Sequence, residues 1–141
     1  MRVEDMEPGR ELDALVAERV MGLVPCQNEC HKSDDPNDRA LWPCHAKPDS
    51  PRRGGETACY STDIAAAWEV VEAMRHWPTP YHVTIEDDGT PEPGLWSVNI
   101  QGEGWTRGNW YSAGHAEKPT VPHAACIAAL LALGVAEMPD D

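Results

Sequence analysis

Residues 124–133 read Ala-Ala-Cys-Ile-Ala-Ala-Leu-Leu-Ala-Leu, without one polar side chain. A helix over such a run has no face to offer water, so other elements must enclose it. It is also well short of the roughly 20 apolar residues that cross a bilayer. Thr120 supplies an N-cap and Pro122 falls in the first turn, where its missing N–H costs little. Gly134 fits the C-terminal cap. The expectation is a last helix that is the most buried element of the fold.

Two further helices are legible. Over residues 11–23, Leu12, Leu15, Val16, Val20 and Leu23 recur at helical spacing between Asp13, Glu18 and Arg19, giving one buried stripe. Ser61 or Thr62 is positioned to cap a second helix, and Asp63 favours its positive end. Ile64, Ala67, Trp68, Val71 and Met74 form its expected inner face, and Pro78 stops it. Tyr81, Val83 and Ile85 alternate with His82, Thr84 and Glu86 as in a half-buried strand, and Asp87-Asp88-Gly89 supplies a turn. Trp96, Val98 and Ile100 repeat the alternation, which places Trp96, like Trp68, in the core. A third strand is expected over 110–117, weakened by Gly108 and Gly114. The fold class is therefore α+β: a short antiparallel sheet of about three strands packed with about three helices.

At 141 residues the chain is expected to form a single domain, residues 1–141, with one core. Within it, residues 25–59 stand apart. They hold five bases and six acids, whereas the whole chain has 24 acids against 11 bases and a net charge of −13. Pro25, Pro36, Pro43, Pro48, Pro51, Gly54 and Gly55 leave no room for a long regular element, so 25–59 reads as a loop insertion after the first helix. The acidity disfavours direct binding to a phosphate backbone. No leader-like or membrane-spanning run is present, and a soluble, cytoplasmic protein with reduced cysteines is expected.

The insertion carries the sharpest chemical pattern. Cys26, Cys30, His31, Cys44, His45 and Cys59 put four thiols and two imidazoles in one short stretch, and these are the ligands tetrahedral zinc prefers. A Pro-rich polar loop buries little apolar surface, and zinc-coupled folding would return about 10 kcal/mol towards ordering it. A structural zinc site is one reading. The specific double Cys-x2-Cys spacing is absent, so unliganded thiols and a disulfide stay open beside it. Cys126, on the apolar helix, reads as a small core residue.

Trp105, Arg107, Trp110 and Tyr111 form a second candidate, an aromatic and cationic surface able to stack a nucleobase and pair a phosphate; rim packing of the sheet is the alternative. The Gly-rich stretch 102–108 lacks the Lys-Ser/Thr ending of a phosphate-cradling loop and reads as a turn. No nucleophile elbow, HExxH or zinc-deaminase arrangement occurs, and no catalytic residue is nominated. Asp34, Asp35, Asn37 and Asp38 lack the spacing of a calcium loop.

Leu12-Asp13-Ala14-Leu15-Val16-Ala17-Glu18-Arg19-Val20-Met21-Gly22-Leu23, the segment from Tyr60 through Val71, Thr120-Val121-Pro122 and Ala125-Cys126-Ile127-Ala128-Ala129-Leu130 together resemble the bacteriophage ABA sandwich domain family. The resemblance implies a phage or prophage protein, an α/β/α layered fold and a bacterial host cytoplasm. It offers no catalytic residue to carry over. The functional expectation is a noncatalytic accessory protein, for instance in counter-defence, that binds a small signalling nucleotide or a host protein and can form a homo-oligomer. The alternatives are a structural or assembly protein, an acidic mimic of DNA, and a metal-dependent enzyme.

Overall fold

The computed structural model of the chain describes residues 1–25, 44–46, 55–77, 80–89, 94–103 and 110–137. After a 3-10 turn at Val3–Asp5 come α1 (Arg10–Arg19), β1 (Val24–Pro25), β2 (Cys44–Ala46), β3 (Gly55–Glu56) and α2 (Ile64–Arg75). The chain then runs through β4 (His82–Asp87), β5 (Trp96–Glu103), β6 (Trp110–Lys118) and α3 (Val121–Ala132). β4, β5 and β6 make an open antiparallel sheet in that order. The protein is thus a small α+β fold whose described residues form three helices and a three-stranded sheet. The short β1, β2 and β3 pair antiparallel in a second, minor sheet. No described helix is long and apolar enough to cross a membrane.

The last helix occupies the place its sequence demands. Every residue of α3 from 122 to 130 is buried. It packs on β5 and β6, on α2 and on α1, and α2 also reaches β4, so among the described residues α3 is the element the others surround. The Thr120 side chain accepts from the His123 N–H, and Gly134, at φ 83°, turns the chain out of the helix while its N–H bonds Leu131 O.

Helix and sheet approach closely at Gly114, in the middle of β6. A methyl group there would overlap the Ala128 carbonyl and stand 2.6 Å from the Ala132 N, so the helix backbone rests directly on the strand. Strand register fixes the two faces. Val83 and Ile85, Val98 and Ile100, and Gly114 and Ala116 are cross-strand neighbours on the side of α3. Thr84, Asn99 and His115, with Glu86, Ser97 and Glu117, share the other.

Two tryptophans depart from the expectation. Trp68 is 52% exposed and Trp96 38%, and Ile64 is exposed as well. The inner stripe of α2 is Ala66, Ala67, Val70, Val71 and Met74. Residues 64–68 are apolar throughout, which permits either stripe, and the alanine-rich α3 accepts only the one with small side chains, since an indole would hold the helices apart. Trp96 has the correct alternation, but it opens β5 at the end of the sheet, opposite Asp87 and Lys118. The cap of α2 also differs: Asp63, rather than Ser61 or Thr62, accepts from Ala65 N at 3.2 Å.

Ser61 has another task. Fully buried, it donates both its N–H (2.8 Å) and its Oγ–H (2.6 Å) to Asp13 Oδ1 and accepts from Gly9 N at 2.8 Å. This knot ties the start of α1 to the turn before α2. Burial pushes the Asp13 carboxyl above the usual range, opposed by its bonds from Ser61. A raised carboxyl pKa means the folded state holds the proton more tightly than the unfolded chain. The stabilisation is complete below the ordinary Asp range and is lost as pH rises through the folded-state value.

Unfolding experiments check both contacts. Gly114→Ala is expected to cost about 3 kcal/mol or more in urea unfolding, because the obstacle is backbone that no rotamer change moves aside; a loss under about 1 kcal/mol refutes the direct helix–strand contact. For the polar knot, Asp13→Ala should destabilise by about 2 kcal/mol by orphaning two buried donors. Asp13→Asn keeps the acceptor, and its stability relative to wild type should improve between about pH 3 and about pH 7. A pH-independent difference between the Asp13→Asn variant and wild type excludes a buried carboxyl with a raised pKa.

Candidate ligand-binding face

The side of the β4–β6 sheet that faces away from α3 is polar. Thr84, Glu86, Ser97, Asn99, Gln101 and His115 line an open hollow of about 310 Å³. Alternation places them there: each strand gives its apolar residues to α3 and turns the intervening polar ones outward. Several are already held. Ser112 Oγ donates to Asn99 Oδ1 at 2.8 Å, and Ser97 Oγ bonds His115 Nε2 at 2.8 Å.

A bulge decides which aromatic residue joins this face. The register passes from Ile100 opposite Gly114 to Gln101 opposite Ser112, leaving Ala113 as the extra residue. The strand beyond is thereby flipped. Tyr111 comes opposite Gly102 on the α3 side, where a methyl on Gly102 would stand 2.7 Å from the phenol ring. Trp110 comes to the outer side and meets the His82 ring at 5.6 Å between centroids, tilted by 48°. Both Trp110 and Tyr111 are exposed. Of the expected aromatic and cationic surface, then, Trp110 and Tyr111 lie on opposite faces, and Trp105 and Arg107 lie outside the described residues. No Lys or Arg is among the described residues lining the hollow, and the carboxylate among them is Glu86.

A second hollow, about 430 Å³, lies beside β6 and is lined by Glu4, Asp5, His115, Glu117 and Lys118 among others. It is bridged where Lys118 Nζ donates to the Glu4 carbonyl at 2.6 Å. No Trp or Tyr is among the described residues of its lining.

Of the candidate metal ligands, Cys26, Cys30 and His31 lie outside the described residues. Cys44 is placed in β2, opposite Glu56. Cys59 is an exposed free thiol just ahead of α2. His45 is buried, with Nδ1 bonded to Thr57 Oγ1. Its Nε2 stands 3.4 Å from Glu18 Oε2 but off the direction of a hydrogen bond. The buried imidazole thus brings β2 beside the α1 residue Glu18 without a hydrogen bond between them. Among the described residues, no three His, Cys, Asp or Glu side chains gather as a metal site.

Elsewhere the titratable groups with shifted pKa values sit in structural positions. Burial lowers that of His123, whose Nε2 donates to the Met6 carbonyl at 2.7 Å, and burial raises those of Tyr60 and Cys126. Cys126 is a core residue, as its helix implies.

Sequence alternation alone contains the outer polar row. The bulge that separates Trp110 from Tyr111 left no sequence signal apart from the neighbouring Gly114, and the approach of His45 to Glu18 left none.

No curated protein and no solved structure matches the chain. The model of the phage ABA sandwich domain matches residues 14–130, most of the helices and the whole sheet, and the chain belongs to that family.

Proposed function

We propose that the protein is a noncatalytic phage binding module that acts on a host process by holding a small nucleotide on the outer face of its β4–β6 sheet. The observation that carries this reading is the polar hollow on the sheet, with hydrogen-bonding groups held in place and the exposed Trp110 indole set by register just beyond its Gln101 end. Recognition sites combine a few fixed polar groups with aromatic surface in this way. Substitution on this face leaves the core untouched, because its residues point away from α3.

A thermal-shift panel of cyclic and linear nucleotides tests it. At least one is expected to raise the melting temperature, and Trp110→Ala should weaken that ligand by about tenfold, within the stacking energy of one base, at little change in the unliganded melting temperature. A panel without a single shift removes the nucleotide reading.

A second reading is carried by α2, whose Ile64 and Trp68 stand exposed one turn apart. Exposed tryptophans of this kind anchor protein interfaces. If a host protein is the target, it should co-purify with wild type and with Trp110→Ala but not with Trp68→Ala. Retention by all three forms excludes α2 as the contact.

A further inference from the structure

Resting on the nucleotide reading, we infer that the sheet face recognises the uncharged part of its ligand, a single nucleobase with its sugar, and that phosphate groups project off the sheet. Charge points this way first. The hollow is lined by Glu86 and bordered by Glu117, with no Lys or Arg among the described residues of its lining. A phosphate laid on it would meet like charge.

Shape and polarity agree. Register sets Gln101 between His82 and Ser112, so the tilted His82–Trp110 ring pair borders the Gln101 end of the hollow. That end offers a π surface beside a row of amide and hydroxyl groups. Because Ser112 donates to Asn99 Oδ1, the amide of Asn99 keeps its Nδ2 hydrogens as donors. Gln101, next but one along β5, brings both a donor and an acceptor. Glu86 at the far end accepts only. Donors and acceptors in fixed order on neighbouring strands are what the edge of a heteroaromatic base requires, whereas a phosphate needs donors alone. The volume, about 310 Å³, lies at the small end for ligand sites and suits one base with its sugar.

Calorimetric titration of the full chain with the four ribonucleosides, their 5′-monophosphates, ribose 5-phosphate and inorganic phosphate tests the inference. At least one nucleoside should bind within about tenfold of its monophosphate, since the face contributes the same contacts to both. Gln101→Leu should weaken that nucleoside by about tenfold or more, the loss of a paired polar contact. Glu86→Gln should strengthen the monophosphate relative to the nucleoside. Binding of ribose 5-phosphate or phosphate without any nucleoside overturns base recognition and leaves the nucleotide reading standing. Failure of every nucleoside and nucleotide removes both. Nucleoside binding unaffected by Gln101→Leu and by Trp110→Ala places the site elsewhere and also overturns the inference.

Discussion

Everything in the packing depends on how closely α3 approaches β6. At Gly114 the helix backbone lies on the strand with no side chain between them. Ala124, Ala125, Ala128 and Ala129 are all buried, so the helix is thin where it is surrounded. Small side chains bury little area each, and at roughly 25 cal/mol per Å² their own contribution is modest. What they permit is larger: Leu12, Val16, Val70, Met74, Val98, Ile100, Ile127 and Leu130 reach a common interior from four directions. The same closeness explains Trp68, since α2 can approach α3 only by presenting Ala66, Ala67 and Val70 and turning its indole to solvent.

Buried polar groups then fix the order of the pieces around that interior. The Asp13–Ser61–Gly9 knot holds α1 against the entry to α2, and His123 holds the segment before α1 through the Met6 carbonyl. Val3 N adds a bond to Ala136 O at 2.9 Å, closing the N-terminal turn onto the chain after α3. Hydrophobic burial is indifferent to direction, whereas each of these bonds exists in one arrangement. The two titratable members respond oppositely to acid. His123, its pKa lowered by burial, contributes stability that is present above the usual histidine range and lost as pH falls through the folded-state value. Asp13 gains in the same direction of change, so the knot persists at acidities where burial of the His123 ring becomes costly.

Much of this architecture was legible in the residues because it is periodic. The stripe Leu12, Leu15, Val16 and Val20, the alternation of Val83 and Ile85 with Thr84 and Glu86, and the Thr120 and Gly134 caps are all where the pattern put them. Failures came where pattern is degenerate or the cause is distant. An unbroken apolar run at 64–68 does not choose its own inner face; the neighbouring helix chooses it. Ser61 looked like a cap because caps and buried donors use the same hydroxyl, and only the arrival of Asp13, 48 residues away, decides between them. The outer polar row was readable from alternation, but its aromatic member was not, since one extra residue at Ala113 exchanges the faces of Trp110 and Tyr111.

That bulge also decides what the outer face of the sheet carries. Without it, strict alternation from Gly114 would place Ser112 and Trp110 on the α3 side of the sheet and Tyr111 outside. The indole would then leave the His82 ring, and the Ser112 hydroxyl would lose Asn99. The bulge satisfies both requirements at once: it brings Ser112 out to orient Asn99, sets Trp110 beside His82, and lays the Tyr111 ring against Gly102, where no side chain competes. The sheet therefore divides its labour by face. One side is constrained by α3 down to single methyl groups, and the other carries its polar row clear of the core, so a substitution at Thr84, Asn99 or Gln101 leaves the helix packing beneath untouched.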